Sequence, residues 1–330
     1  MKLLARVAAA GALAGLLTVA GLWIGGGDGE RRPSGAPRFQ SAEDCRQCHA
    51  DVFAEWHGSH HQISYLNPEV RALSEDFRNK ECQACHLPRP VAVTGFGERV
   101  LPRLTYPEEG VTCLTCHQAQ DGGILGRNDV PSAPCAPRAS ADLIGVELCA
   151  SCHNQHETTD QWRKSSFAAQ GVACNDCHMP EVERTDAQGR VRRGRSHRYP
   201  GAHDVAMLRA AATFRATLEG RTLALSLENH GAGHNFPTEE RHRAVDVEVA
   251  FVGEDGTPGA WQRVHRFRQP YRDEPGENTQ LPAGTTWSAT VPVPDGAKRA
   301  RARLWYRLTP LSTDDDGKST LLFEHEVDVP

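Results

Sequence analysis

Ten of the chain's eleven cysteines fall into one arrangement, Cys-x-x-Cys-His. It occurs five times: Cys45-Cys48-His49, Cys82-Cys85-His86, Cys113-Cys116-His117, Cys149-Cys152-His153 and Cys174-Cys177-His178. Random placement of the same residues gives on the order of 0.02 such pentapeptides per chain, so the set is not accidental. Two thiols three positions apart can add to the two vinyl groups of one porphyrin. The histidine after the second thiol then falls over the iron as its proximal ligand. Structural zinc takes two Cys-x-x-Cys pairs per tetrahedral site, and an odd number of pairs leaves one over. A redox Cys-x-x-Cys belongs near a β-α-β pattern and needs no histidine each time. The motifs therefore predict five covalently attached haems c.

Five irons need five sixth ligands if all are low-spin carriers. Met179 directly follows proximal His178 and cannot reach across that haem, and Met207 is the only other methionine after Met1. Coordination is thus predicted to be mostly bis-His, with low potentials. Outside the motifs, the same half of the chain offers His57, His60, His61, His156, His197 and His203. His156 is too close to proximal His153 to serve that iron but is free to reach a neighbour. His230, His242, His265 and His325 lie in or beside predicted strands and read as surface residues.

The motifs occupy residues 39–207, a stretch rich in Gly, Pro, Asn and Asp and thin in apolar residues. A folded part of this size normally needs a larger apolar core. Five porphyrins would supply the missing buried surface, so fold and cofactor are coupled. The half also reads as an internal repeat. Trp56-x-x-Ser59-x-His61 follows the first motif, and Trp162-x-x-Ser165-x-Phe167 follows the fourth. Gly110-Val111-Thr112-Cys113 matches Gly171-Val172-Ala173-Cys174, and His86-Leu87-Pro88 matches His178-Met179-Pro180. Cys135 stands alone near Pro134 and Pro137 and reads as an idle thiol. A basic loop from Glu183 to Arg198 carries Arg184, Arg190, Arg192, Arg193, Arg195 and Arg198, expected to pair with haem propionates or form a docking patch.

From about Leu208 the pattern changes. Leu223, Leu225 and Leu227 alternate with Ala224, Ser226 and Glu228. Val245, Val247, Val249 and Phe251 do the same, and Ala300, Ala302, Leu304 and Tyr306 face away from Arg299, Arg301, Arg303 and Trp305. Alternation with period two between turn clusters predicts strands. The expected fold is a multihaem cytochrome c domain of short helices and loops around five haems (39–207), followed by an all-β sandwich-like domain (208–330).

The W-x-x-S-x-H segment, the G-V-x-C-x-x-C-H-M-P unit and Gly233-His234-Asn235-Phe236-Pro237-Thr238 resemble multihaem cytochromes c of the cytochrome c554 type. These are relatives of the haem-packing core of hydroxylamine oxidoreductase and pentahaem nitrite reductase. The resemblance covers roughly residues 40–245. It implies closely stacked haems and a distal-ligand role for His61, whose counterpart Phe167 cannot ligate. It further implies ligand roles for His197 and His203 around Tyr199-Pro200-Gly201, and for His234. The Cys-x-x-Cys-Lys variant that marks the active haem of pentahaem nitrite reductases does not occur here.

At the N-terminus, Lys2 and Arg6 precede an uncharged run from Val7 to Gly27. Residues 1–27 read as a signal peptide or an uncleaved anchor through residues 7–27, and 28–38 as a linker. Either way the motif half is expected in the periplasm, where bacterial haem attachment takes place. The leading expectation is an electron carrier between a quinol-linked membrane complex and a periplasmic or surface reductase. A haem enzyme acting on a small nitrogen or sulfur compound at an open iron is the alternative, and a structural or filament-forming cytochrome is a third. A formal net charge of −5 on an exported haem protein argues against a nucleic-acid partner.

Overall fold

The computed structural model describes residues 38–185, 189–238, 242–271 and 274–330. The predicted N-terminal segment 1–27 and nearly all of the linker lie outside them. Among the described residues no helix is long and apolar enough to cross a membrane.

The motif half is built of short helices: α1 (Glu43–Arg46), α2 (Ala50–Trp56), α3 (Pro68–Leu73), α4 (Lys80–His86), α5 (Cys113–His117), α6 (Val146–His153), α7 (Thr158–Arg163), α8 (Ser166–Ala169) and α9 (Cys174–His178). Positions i, i+3 and i+4 share one helical face. One turn therefore carries both thiols and the imidazole toward the same side, which is why α5 and α9 each coincide with a motif. Both begin alike: Thr112 N–H donates to Thr115 Oγ1 at 3.1 Å, and Ala173 N–H donates to Asp176 Oδ2 at 2.9 Å. These bonds satisfy a donor that a helix start otherwise leaves orphaned.

The repeat read in the sequence recurs bond for bond. Trp56 Nε1 donates to the Val111 carbonyl at 2.8 Å, and Trp162 Nε1 donates to the Val172 carbonyl at 2.9 Å. Val111 N–H donates to the carbonyl of His61 at 2.8 Å, and Val172 N–H to that of Phe167 at 3.0 Å. His61 and Phe167 thus hold equivalent backbone positions. Gly110 has φ +47°, and a Cβ there would lie 2.4 Å from the Gln62 carbonyl oxygen, so only glycine fits this turn.

The basic stretch differs from expectation. It is a β-hairpin, not a loop; after the short parallel pair β1 (Leu125–Gly126) and β2 (Arg138–Ala139), strands β3 (Glu181–Thr185) and β4 (Val191–Arg195) pair antiparallel. Its arginines find protein carboxylates: Arg184 meets Glu55, Arg193 meets Glu183, and Arg195 meets Asp176.

Helix α10 (Val205–Ala211) leads into the strands β5 (Ala212–Glu219), β6 (Thr222–Asn229), β7 (Ala244–Val252), β8 (Gln262–Phe267), β9 (Thr286–Pro292), β10 (Arg299–Arg307) and β11 (Ser319–Asp328). They form a three-stranded antiparallel sheet, β5-β6-β9, and a four-stranded one, β11-β10-β7-β8. The expected alternation holds. Leu223, Leu225 and Leu227 of one sheet share a buried cluster with Val245, Val247, Val249, Ala300, Ala302 and Leu304 of the other. His265 and His325 are not bare surface residues: His265 stacks on Trp287 with ring centroids 4.9 Å apart, and His325 Nε2 lies 3.0 Å from the Phe214 carbonyl.

The opposite face of β7 is buried too, and it is charged. Asp246 accepts from Arg266 Nε at 2.6 Å and Nη2 at 2.7 Å and from Arg307 Nε at 2.6 Å, while Arg307 Nη2 reaches Glu248 at 3.0 Å. Burial pushes the Asp246 carboxyl up, but the two arginines outweigh it and leave it below the usual range. Removing one partner of a buried pair strands the other. Arg307→Met is expected to cost about 3–5 kcal/mol by chemical denaturation followed by circular dichroism. Arg299→Met, at the half-exposed pair with Glu326, is expected to cost under about 1 kcal/mol.

Candidate haem sites

Numbering the candidate sites 1 to 5 in motif order, the imidazoles expected to be proximal are His49, His86, His117, His153 and His178. The ring orientation of three of them is set by the backbone. His86 Nδ1 lies 3.0 Å from the Ser64 carbonyl, His117 Nδ1 3.0 Å from that of Leu125, and His178 Nδ1 2.7 Å from that of Pro200. A carbonyl can only accept, so Nδ1 carries the proton and Nε2 keeps its lone pair for a metal.

Three of these rings each face a second imidazole from a distant part of the chain. His153 faces His61 with centroids 6.1 Å apart, His117 faces His197 at 6.4 Å, and His178 faces His234 at 6.2 Å. Two metal–nitrogen bonds of about 2 Å in line, plus the two ring radii, give a centroid separation of roughly 6 Å. The residues present therefore fit a metal held between each pair. The facing rings are anchored as the proximal ones are: His197 Nδ1 lies 3.0 Å from the Arg195 carbonyl, and His234 Nδ1 3.0 Å from that of Asn235. Burial, and then neighbouring imidazoles, push His61 down to about 3 and His197 down to about 4; burial also lowers His117 and His178. All four stay neutral near pH 7, which is the ligating form.

The sites adjoin one another through their thiols. Cys45 of site 1 and Cys113 of site 3 lie near enough to shift each other's ionisation, as do Cys149 of site 4 and Cys174 of site 5. Cys116 of site 3 is near enough to Cys149 to oppose its ionisation. Cys85 of site 2 and Cys152 of site 4 pack against one small cluster of Ala84, Val91 and Val100. The thiol contacts give the order 1–3–4–5, with site 2 beside site 4. Buried Glu109 ties the first link, accepting from Ala42 N–H at 3.0 Å and from the Thr112 hydroxyl at 2.9 Å.

The other candidates lie elsewhere. His203 stacks face to face on His60 at 3.9 Å, which leaves no room for an iron between those two rings. His156 has a buried Nδ1 with no hydrogen-bond partner. His57 and proximal His49 are exposed, as are Cys48 and Cys177; the remaining motif cysteines and Cys135 are half-buried.

Two kinds of residue at the sites were not singled out from the sequence. Tyr199 is one; its ring lies 4.1 Å from that of His61 and 5.9 Å from that of His197, between candidate ligands of two sites. It sits at φ +51°, a left-handed conformation that a tyrosine adopts only when its surroundings impose it. Glu55 and Gln161 are the other kind. Each immediately precedes a repeated tryptophan, and that position was the signal available for them.

The family model for cytochrome c554 and c-prime matches residues 44–118. A penta-heme cytochrome c552 from Thermochromatium tepidum aligns over 88% of this chain and 99% of its own, with TM-score 0.65 and 19% identity. A superoxide reductase from Nanoarchaeum equitans (12% identity, 37% of this chain and 94% of its own) aligns with a TM-score of only 0.20. A hypothetical protein from Pyrococcus horikoshii (14%, 36% and 86%) scores the same 0.20, and agreement that low carries no weight. No curated protein matches the chain. The family match across the first three motifs and the fold shared along nearly the whole chain support a multihaem cytochrome c of the c554 type.

Proposed function

We propose that this chain is an exported electron carrier holding five haems c, with mostly bis-His coordination. The observation that carries the reading is the set of three facing imidazole pairs at 6.1, 6.4 and 6.2 Å. Such a pair would hold an iron from both sides and would leave no place for a substrate there. Bound, haem c supplies one-electron redox chemistry. The chain's own residues supply attachment, axial ligands and spacing, and the thiol contacts between successive sites support a closely packed row.

The strand-rich part acts in this reading as a sandwich-like cap. Its two sheets share one core, and its loop after β6 lends His234 to site 5. Export rests on Lys2 and Arg6 ahead of the uncharged run 7–27, with the chain anchored to the inner membrane or released from it. The partners of this reading are a quinol-linked membrane complex on one side and a periplasmic or surface reductase on the other.

His61→Ala, His197→Ala and His234→Ala are each expected to convert one low-spin iron to high-spin, read by electron paramagnetic resonance of the oxidised holoprotein. In the unaltered holoprotein, cyanide or nitric oxide should leave the spectrum as it was. A high-spin iron that binds either one would replace the carrier with a haem enzyme acting at an open site.

A further inference from the structure

Glu55 and Trp56 end α2, and Gln161 and Trp162 lie in α7 at the matching place of the second copy. The two tryptophans each hold the turn that leads into a motif: Trp56 bonds Val111 before site 3, and Trp162 bonds Val172 before site 5. The residues in front of them point the other way. His197 N–H donates to Glu55 Oε2 at 2.8 Å. Asn235 N–H donates to Gln161 Oε1 at 3.1 Å, and the Thr238 hydroxyl donates to the same oxygen at 2.7 Å. His197 faces His117 of site 3, and His234, next to Asn235, faces His178 of site 5. Each dipeptide therefore touches both flanks of one site, the turn before its proximal ligand and the segment bearing its distal one.

The two clamps also act on ring orientation. Arg184 bridges Glu55, with Nε on Oε1 at 3.0 Å and Nη2 on Oε2 at 2.5 Å, and donates to the Arg195 carbonyl at 2.8 Å. That carbonyl is the one that anchors His197 Nδ1. In the second copy, Asn235 supplies both the N–H that Gln161 holds and the carbonyl that anchors His234 Nδ1. Gly233 lets this loop close down, since a Cβ there would sit 3.2 Å from Trp162 and 3.3 Å from Phe167.

We infer that Glu55 and Gln161 are equivalent positioning residues for the distal imidazoles of sites 3 and 5, and that the Glu55–Arg184 ion pair in one copy and the uncharged amide in the other set these two sites apart in reduction potential. The inference rests on the bis-His reading above. Removing a negative charge beside a site favours its reduced state, and adding one favours the oxidised state.

The test uses the holoprotein, with potentiometric titration and electron paramagnetic resonance as readouts. Glu55→Gln keeps an acceptor for the His197 N–H while removing the charge. One redox component should shift upward, with its low-spin signal retained. Gln161→Glu should shift a different component downward. Glu55→Ala and Gln161→Ala remove the acceptor, and each should displace the g-values of one low-spin signal; restoring an acceptor with Glu55→Gln or Gln161→Glu should bring them back. Should Glu55→Gln and Gln161→Glu leave every component in place while His197→Ala and His234→Ala each create a high-spin iron, the ligation stands and the clamp is wrong. Should His197→Ala and His234→Ala change nothing, the ligation fails and takes the clamp with it.

Discussion

A metal held between two imidazoles is held by two stretches of backbone far apart in sequence, and their separation can vary by only a few tenths of an ångström before one bond is lost. Much of this molecule answers that constraint. The proximal side is the easier one, because thioether attachment and a single helical turn fix it locally. The distal side depends on tertiary structure. His61 comes from the turn after α2, His197 from the segment after β4, and His234 from the loop after β6. Each arrives opposite its partner at a separation near 6 Å, and backbone carbonyls hold the Nδ1 of His197 and His234. A carbonyl anchor fixes both the tautomer and the ring plane, which is how an outer hydrogen bond tunes a metal it never touches.

What was legible in the sequence followed from periodicity and spacing. The five motifs and the alternating strands are local patterns, and local patterns survive folding. His61, His197 and His234 are legible as candidate ligands, but their placement opposite His153, His117 and His178 is a through-space fact that no spacing encodes. His203 was named on the same footing as His197, yet its ring lies flat on His60; nothing within the chain's linear pattern separates the two cases. The arginine-rich stretch was read from composition as a loop, whereas alternate arginines on paired strands reach carboxylates brought from α2 and α9. Glu55 and Gln161 differ in identity, so the repeated residues of the pattern do not mark them. Their shared property is an oxygen acceptor in one place, which identity scoring does not see.

The two halves keep themselves together by different physics. The strand-rich half has a continuous apolar cluster from both sheets, closed on its outer face by the buried ion pairs of Asp246, Glu248 and Arg307. The motif half has only small clusters, such as Ala42, Phe53 and Trp56, with Cys113 and Tyr199 packed beside them. Clusters of that size offset little of the backbone entropy that ordering such a length of chain costs. In the proposed reading, attached porphyrins would supply the missing apolar surface, and binding free energy and folding free energy in this half would be one quantity.

In the motif half, several hydrogen bonds tie one motif segment to another. Trp56 and Trp162 are large enough to contribute apolar surface, and each spends its single polar atom on the turn entering a motif. Glu109 joins the segment before α1 to the residue before α5, and the Tyr199 ring contacts both His61 and His197. A residue placed between sites registers the position of both, so the order 1–3–4–5 is built by the same contacts that fold the chain. The internal repeat carries the same arrangement of bonds twice. The chemical difference between a carboxylate and an amide is the smallest change by which equivalent sites can be made unequal without moving either of them.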